Sequence, residues 1–167
     1  MILSDEEIKR LIEEKDLIKN FIDLDIQLQP ASFDLTLAKV FEFESNGSLD
    51  FDNSERKIAE RKEIEFKNDW VFLKEGSYLI MFNEIVKIPK DLIALVRPRS
   101  SLLRNGASIF SSLWDPGYEG RSLVLLVVFN ENGIKLKKNA RIAQMIFLKL
   151  EEESRKEYRG IYQKENV

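Results

Sequence analysis

The chain of 167 residues contains no cysteine and no histidine. Without them the sequence cannot support Ser-His-Asp or Cys-His catalysis. It also cannot form a zinc site from these ligands, including that of the zinc-dependent nucleobase deaminases. Any chemistry must therefore use carboxylates, hydroxyls, arginine, lysine or an oxygen-bound cation such as Mg²⁺.

The chain also lacks an excess of basic residues, with 26 lysines and arginines against 29 acidic residues and a formal charge of −3. General nucleic-acid binders carry a net basic field, so we expect no nucleic-acid partner and only local capture of anions. No apolar run is long enough to span a membrane, and residues 1–7 lack the basic and apolar regions of a signal peptide. We expect a cytoplasmic protein with no membrane partner.

Helical signals are confined to the start of the chain. Ser4 and Glu7 have the spacing of a capping box, and apolar residues then recur at helical spacing up to about Lys15. These features predict one short amphipathic N-terminal helix.

Short apolar runs predict strands in the rest of the chain. They lie at residues 33–37, 70–73, 78–81, 92–96, 123–129 and 142–150. Segment 74–77 joins the second and third as a hairpin, and run 123–129 is apolar on both faces. Residues 44–69 are dense in charge and form a surface excursion, with a turn or two of helix within 54–65. This succession of short strands indicates an all-β barrel or sandwich.

Two clusters of polar residues interrupt this pattern and are candidates for ligand binding or catalysis. Arg97, Arg99 and Arg104 follow an apolar strand and enclose Ser100 and Ser101. Arginine clamps oxygens in a bidentate manner and serine donates short hydrogen bonds, so the segment is either a local anion site or a solvated strand end.

The second group is a turn. Pro116 and Gly117 specify a type II turn that brings Asp115 and Tyr118 together at its ends. The carboxylate either activates a water molecule or only bonds the backbone of its own turn.

Two further residues are polar within apolar strands. Gln144 is the only polar side chain inside residues 142–148, and its amide is satisfied either by backbone or by a ligand. Asp34 lies inside a predicted strand, where carboxylates are disfavoured. It either faces solvent or orients an arginine or a Mg²⁺-bound water.

The segments around these residues resemble the trimeric dUTPase and dCTP deaminase superfamily, most closely the archaeal dUTPases. Residues 29–35, 99–102, 114–120 and 141–147 look like its four motifs, in order and at compatible spacing. The resemblance covers about residues 1–150. It implies a distorted jelly-roll barrel, a homotrimer with active sites at the subunit interfaces, and a tail, 151–167, that closes over the site.

The resemblance also implies residue roles. Asp115 would orient or activate the hydrolytic water and contact the deoxyribose 3′-hydroxyl, and Tyr118 would pack under the sugar and exclude a ribose 2′-hydroxyl. Phosphate contacts would come from Arg99, Ser100, Ser101, Arg104 and Gln144. Asp34 and Arg141 would support them. Mg²⁺ would be bound through the triphosphate and water, with no direct protein ligand.

The sequence departs from the superfamily patterns at the C-terminus. The Gly-rich, arginine-containing arm of dUTPases is absent, and residues 158–163 resemble a deaminase-type tail in which Ile161 replaces the usual lysine. Tyr158, Arg159 and Gln163 are the candidate ligands of this tail.

A second departure separates the two activities. The deaminases carry a glutamate in the strand after the third motif, where it shuttles protons. Residues 123–129 contain no ionisable group. We therefore expect a dUTP pyrophosphatase that uses Mg²⁺ and produces dUMP. The alternatives are a dCTP deaminase or bifunctional deaminase and dUTPase, and a non-catalytic nucleotide-binding trimer.

Overall fold

The computed structural model describes residues 1–167 and contains thirteen strands and three helices. The helices are α1 (Asp5–Lys15), α2 (Leu24–Gln27) and α3 (Ser100–Arg104). The first seven strands are β1 (Ile18–Lys19), β2 (Leu28–Gln29), β3 (Ser32–Phe43), β4 (Arg61–Ile64), β5 (Trp70–Leu73), β6 (Gly76–Phe82) and β7 (Ile85–Lys87). The remaining strands are β8 (Leu92–Pro98), β9 (Ala107–Phe110), β10 (Glu119–Gly120), β11 (Leu123–Val128), β12 (Ile134–Lys137) and β13 (Arg141–Lys149).

Most strands belong to one antiparallel sheet in the order β8-β13-β3-β6-β11-β9, with β2 and β4 also paired to β3. The outer strands β8 and β9 contact each other, so the sheet nearly closes into a barrel. Two small sheets, β1-β7-β10 and β12-β5, complete the fold. One cluster of buried apolar residues fills the barrel and extends to α1. The prediction of an all-β barrel with a short N-terminal helix is confirmed.

The N-terminal helix forms as predicted, with one difference at its cap. The Ser4 side chain accepts a hydrogen bond from the Glu7 amide at 3.4 Å. The Glu7 carboxylate, however, binds Arg10 at 2.6 Å, so the reciprocal half of the capping box is absent. Ile8, Leu11 and Ile12 face the core. None of the three helices is long and apolar enough to cross a membrane.

The predicted hairpin between residues 70–73 and 78–81 is wrong. Both strands exist, but β5 pairs with β12, which the sequence patterns missed, and β6 pairs with β3 and β11. Gly76 has a φ of +150° at the start of β6, where the chain turns from one sheet to the other. Alternation identifies a strand without identifying its partner.

The helical turns expected within residues 54–65 are also absent. Asp50 and Asp52 accept hydrogen bonds from the amides of Glu55 and Ser54, which favours local turns over a helix. The chain then continues as β4, which pairs with β3.

Residues 123–129 are apolar on both faces, but the single chain fully buries only one of these faces. Val124, Leu126 and Val128 are buried in the barrel, whereas the intervening residues of β11 are only half-buried. β11 therefore leaves an apolar face partly uncovered.

Candidate active site

The first group of predicted site residues is an arginine cluster, formed by Asp34, Arg99 and Arg141. Asp34 is fully buried on β3, and its Oδ2 forms ion pairs with Arg99 Nε at 3.1 Å and with Arg141 Nη1 at 3.2 Å. The Arg141 contact is also a hydrogen bond, which Arg141 donates. Burial raises the pKa of Asp34, while the two guanidinium groups oppose this shift. Of the two alternatives for Asp34, the structure shows the one in which it orients arginines.

Neighbouring residues extend the arginine cluster along the same end of the sheet. Gln144 on β13 is half-buried and lies between Asp34 on β3 and Arg97 on β8. Ser100 and Ser101 open α3 directly after Arg99. Arg104 is exposed at the end of α3. The first, second and fourth sequence motifs therefore meet here.

The predicted type II turn is confirmed. The Tyr118 amide donates to Asp115 O at 3.1 Å, and Gly117 adopts a φ of +84°. Two backbone hydrogen bonds fix the turn to Ile88, from Gly117 N to Ile88 O at 2.9 Å and from Ile88 N to Tyr118 O at 2.8 Å. Asp115 is half-buried at the start of the turn and forms no ion pair.

Tyr118 is held by a polar chain inside an apolar environment. Its hydroxyl is 2.8 Å from Ser122 Oγ and 3.0 Å from Glu165 Oε1, and Trp114 Nε1 donates to the same Ser122 oxygen at 2.6 Å. Burial is the largest cause of a raised pKa at Tyr118, so its hydroxyl stays protonated and fixed in place.

The C-terminal tail lies along this turn. Tyr158 N donates to Pro116 O at 2.8 Å, and Arg121 N donates to Glu165 O at 3.0 Å. The Tyr158 ring packs edge-on against Tyr118, with their centroids 5.5 Å apart. The tail therefore docks on the turn through Tyr158.

Gln163 fixes the middle of the tail through both ends of its amide. Its Oε1 accepts from Glu119 N at 2.9 Å, and its Nε2 donates to Gly117 O at 2.8 Å. Arg159, in contrast, is exposed and forms no hydrogen bond or ion pair. Gln163 thus binds the turn, and Arg159 remains available to an incoming group.

The turn, the tail and β11 enclose a largely apolar cavity of about 510 Å³. Its aromatic and acidic lining residues include Phe110, Trp114, Asp115, Tyr118, Tyr158, Tyr162 and Glu165. The β11 residues that line it, 123–125, are all apolar. The strand that carries the proton shuttle in the deaminases therefore offers no acid or base here.

Within one chain, the cavity and the arginine cluster are far apart. Trp114 pairs with Ala94 near the start of β8, and Arg99 lies five residues beyond Ala94. At roughly 3.3 Å per residue, this places the two groups on the order of 15 Å apart along the strand. The turn also runs away from Arg99, towards Ile88. Within one chain, the arginine cluster and the Asp115 turn are therefore two separate groups.

No group of three or more acidic residues in the chain is arranged to hold a metal ion. The Oδ1 atom of Asp34 is buried and has no hydrogen-bond partner. The carboxylates of the chain therefore form no cage of three or more ligands around a metal ion.

Several residues of these groups were not predicted. Ser122 and Glu165 hold Tyr118, and the buried Glu84 binds Thr36 and Gln27 behind Asp34. The one sequence signal for Glu84 is its position between the apolar residues Phe82 and Ile85.

The chain resembles known proteins over most of its length. A family model described as "dCTP deaminase-like" matches residues 2–150. The chain is 46% identical to the "Probable deoxyuridine 5′-triphosphate nucleotidohydrolase" of Archaeoglobus fulgidus, over 99% of this chain and 98% of that protein. It is 40% identical to the "Deoxyuridine 5′-triphosphate nucleotidohydrolase" of Methanocaldococcus jannaschii, over 86% of this chain and 93% of that protein.

Among solved structures, the fold is similar to the 2′-deoxycytidine 5′-triphosphate deaminase of Agrobacterium tumefaciens. The TM-score is 0.65 and the sequence identity is 25%. The match covers 87% of this chain but only 47% of that chain, so this chain spans about half the length of that deaminase.

Proposed function

The chain belongs to the dCTP deaminase-like family, and on this basis we propose that it is a dUTP diphosphatase that hydrolyses dUTP to dUMP and pyrophosphate. The names of the relatives from Archaeoglobus fulgidus and Methanocaldococcus jannaschii support a hydrolase function. The observation that carries it is the lining of the cavity, in which Asp115 is present and β11 offers only apolar side chains. Hydrolysis needs a placed water and a carboxylate, whereas deamination also needs a group beside the base to move protons.

In the proposed reaction, a water molecule attacks the α-phosphorus and the bond to the bridging α–β oxygen breaks. Asp115 orients the water and accepts its proton, and pyrophosphate leaves. Tyr118 packs under the deoxyribose, where its fixed ring leaves no room for a 2′-hydroxyl. Arg99, Ser100, Ser101 and Arg104 bind the phosphates, with Gln144 beside them.

We propose that Mg²⁺ is the cofactor. The triphosphate oxygens and water would hold it, because the chain has no carboxylate cluster and Mg²⁺ retains several waters in phosphate sites. The bound ion would neutralise charge on the phosphate oxygens. Asp34 orients Arg99 and Arg141, which would also neutralise charge on the phosphate oxygens.

We propose a homotrimer in which each active site combines the arginine cluster of one chain with the Asp115 turn of another. The separation of the two groups along β8 within one chain supports this assembly. The partly uncovered apolar residues of β11 and the half-exposed Phe110 on β9 also favour a covering subunit.

We propose that residues 1–150 form the catalytic barrel and that residues 151–167 close over its cavity. The contacts of Tyr158 and Gln163 with the third motif support this division. Arg159 is free to contact phosphate when the tail closes over a nucleotide.

The test is to offer the purified protein dUTP and dCTP separately with Mg²⁺ and to identify the products. We expect dUMP and pyrophosphate from dUTP, and no uracil nucleotide from dCTP. Chelation with EDTA should abolish hydrolysis, and UTP should be a poor substrate because of Tyr118. Formation of dUTP or dUMP from dCTP would instead indicate a deaminase, with Glu165 as the carboxyl in the cavity to test first. Binding of dUTP without turnover would indicate a nucleotide-binding trimer.

A further inference from the structure

Glu84 is a buried carboxylate with no basic partner. It is 1% exposed and forms no ion pair. Its Oε1 accepts from Thr36 Oγ1 at 2.6 Å and from Gln27 Nε2 at 2.8 Å, and its Oε2 accepts from Thr36 N at 2.9 Å. Burial raises the pKa of Glu84 despite these hydrogen bonds. Burying a carboxylate is costly, and these three hydrogen bonds tie Glu84 to Thr36 and Gln27.

Thr36 lies opposite an irregularity in the sheet. On β13, Arg141 pairs with Thr36 and Ala143 with Leu35, so Ile142 is an extra residue that forms a bulge. The Thr36 amide points to Glu84 instead of to the β-ladder. The extra residue accepts a hydrogen bond at its carbonyl from Arg99 N at 3.0 Å. The bulge therefore places Arg99, and Glu84 holds the strand that faces it.

Gln27 links Glu84 to the arginine cluster from the other side. Its Nε2 donates to both Glu84 Oε1 and Asp34 O, each at 2.8 Å. The adjacent Ile26 O accepts from Arg141 Nη1 at 2.9 Å. Glu84 thus holds the backbone that directly follows the Asp34 side chain, at the Thr36 amide and, through Gln27, at Asp34 O.

We propose that Glu84 is a positioning residue for phosphate binding, which holds Asp34, and through it Arg99 and Arg141, in the orientation that grips the triphosphate. It acts through Thr36 and Gln27 and does not touch the nucleotide. This inference rests on the proposed role of the arginine cluster in dUTP hydrolysis.

The test is Glu84→Gln, which keeps the shape but places an amide N–H₂ against the Gln27 N–H₂ or the Thr36 amide. We expect kcat/KM for dUTP to fall by about 10- to 100-fold, mainly through a higher KM, because the phosphate contacts are displaced by less than a bond length. The ¹⁵N NMR signal of Arg99 Nε, which reports its ion pair with Asp34, should shift.

A matched control separates positioning from stability. Ile134→Ala removes a buried side chain from β12, in the separate two-stranded sheet, and should lower the melting temperature while leaving KM and the Arg99 signal unchanged. Parental KM and an unchanged Arg99 signal in folded Glu84→Gln would refute the inference. Should Glu84→Gln not fold, Thr36→Val removes one hydrogen bond to Glu84 and is judged by the same two readouts. Where the parent protein does not hydrolyse dUTP, the proposed function fails, and the Arg99 signal still decides the role of Glu84.

Discussion

Two aspartates of the site have opposite environments. Asp34 is fully buried and shares one oxygen between Arg99 and Arg141, whereas Asp115 is half-buried and has no ion pair. The charge of Asp34 is therefore committed to orienting the arginines. Asp115 is the carboxylate left free to contact a water molecule, which is the division of roles that the proposed reaction requires.

Asp115→Asn tests this division. The substitution keeps the size and one acceptor oxygen but removes the charge, so we expect turnover to fall by about 10²–10⁴-fold with little change in nucleotide affinity. Arg99→Ala should weaken both, because it removes a phosphate contact in the ground and transition states. Steady-state kinetics with dUTP and titration calorimetry with a non-hydrolysable analogue provide the two values. An Asp115→Asn variant that turns over at the parent rate would make Asp115 only a turn residue.

Residues whose surroundings are set locally could be predicted, and those set by distant contacts could not. Asp115 and Tyr118 were identified from a four-residue turn, and Gln144 from being polar in an apolar strand. Glu165 reaches Tyr118 across 47 positions, and Glu84 reaches Gln27 across 57. No local pattern contains such a contact.

The same distinction applies to the elements. The first helix was predicted because its cap and its apolar face lie within one short segment. The pairing of β5 with β12 was not, because the two strands are far apart in sequence and alternation fits many partners. The helix α3 was missed since its five residues are too few to show a period.

The tail is the element whose placement depends most directly on one side chain. Glu165 Oε1 accepts from the Tyr118 hydroxyl, and burial raises the pKa of Glu165 above its unfolded value of about 4.5. A raised pKa in the docked state means that the protonated carboxyl docks better than the charged one. The contribution of Glu165 to docking is therefore fully present below about pH 4.5. It is lost as the pH rises through the pKa that Glu165 has in the docked tail.

We accordingly expect tail docking to weaken as the pH rises towards neutral, and Glu165→Gln to remove this dependence. The measurement is hydrogen-exchange protection, corrected for intrinsic rates, of the Tyr158 and Arg121 amides, which both bond across the tail. Glu151→Gln is the control, because Glu151 is exposed and forms no hydrogen bond. Equal pH dependence in the parent and in Glu165→Gln would show that another group controls docking.

At the scale of the whole molecule, the fold places the arginine cluster and the Asp115 turn at opposite ends of β8. A cyclic trimer can bring the arginine end of one copy to the Asp115 end of the next, because a rotation places unlike surfaces together. We expect sedimentation equilibrium to give about three times the chain mass of 19.5 kDa. A stable monomer that is active at nanomolar concentration would refute a shared site.

Mixing two inactive variants provides the sharpest test of the shared site. Asp115→Asn subunits retain Arg99, and Arg99→Ala subunits retain Asp115. After unfolding and refolding an equal mixture, about one quarter of the sites in randomly assembled trimers would combine an intact Arg99 from one subunit with an intact Asp115 from its neighbour. We therefore expect dUTP hydrolysis to return to roughly a quarter of the parent rate. Each variant refolded alone is the control and should stay inactive. Were both residues of a site supplied by one chain, every site would carry one defect and the mixture would remain as inactive as its components.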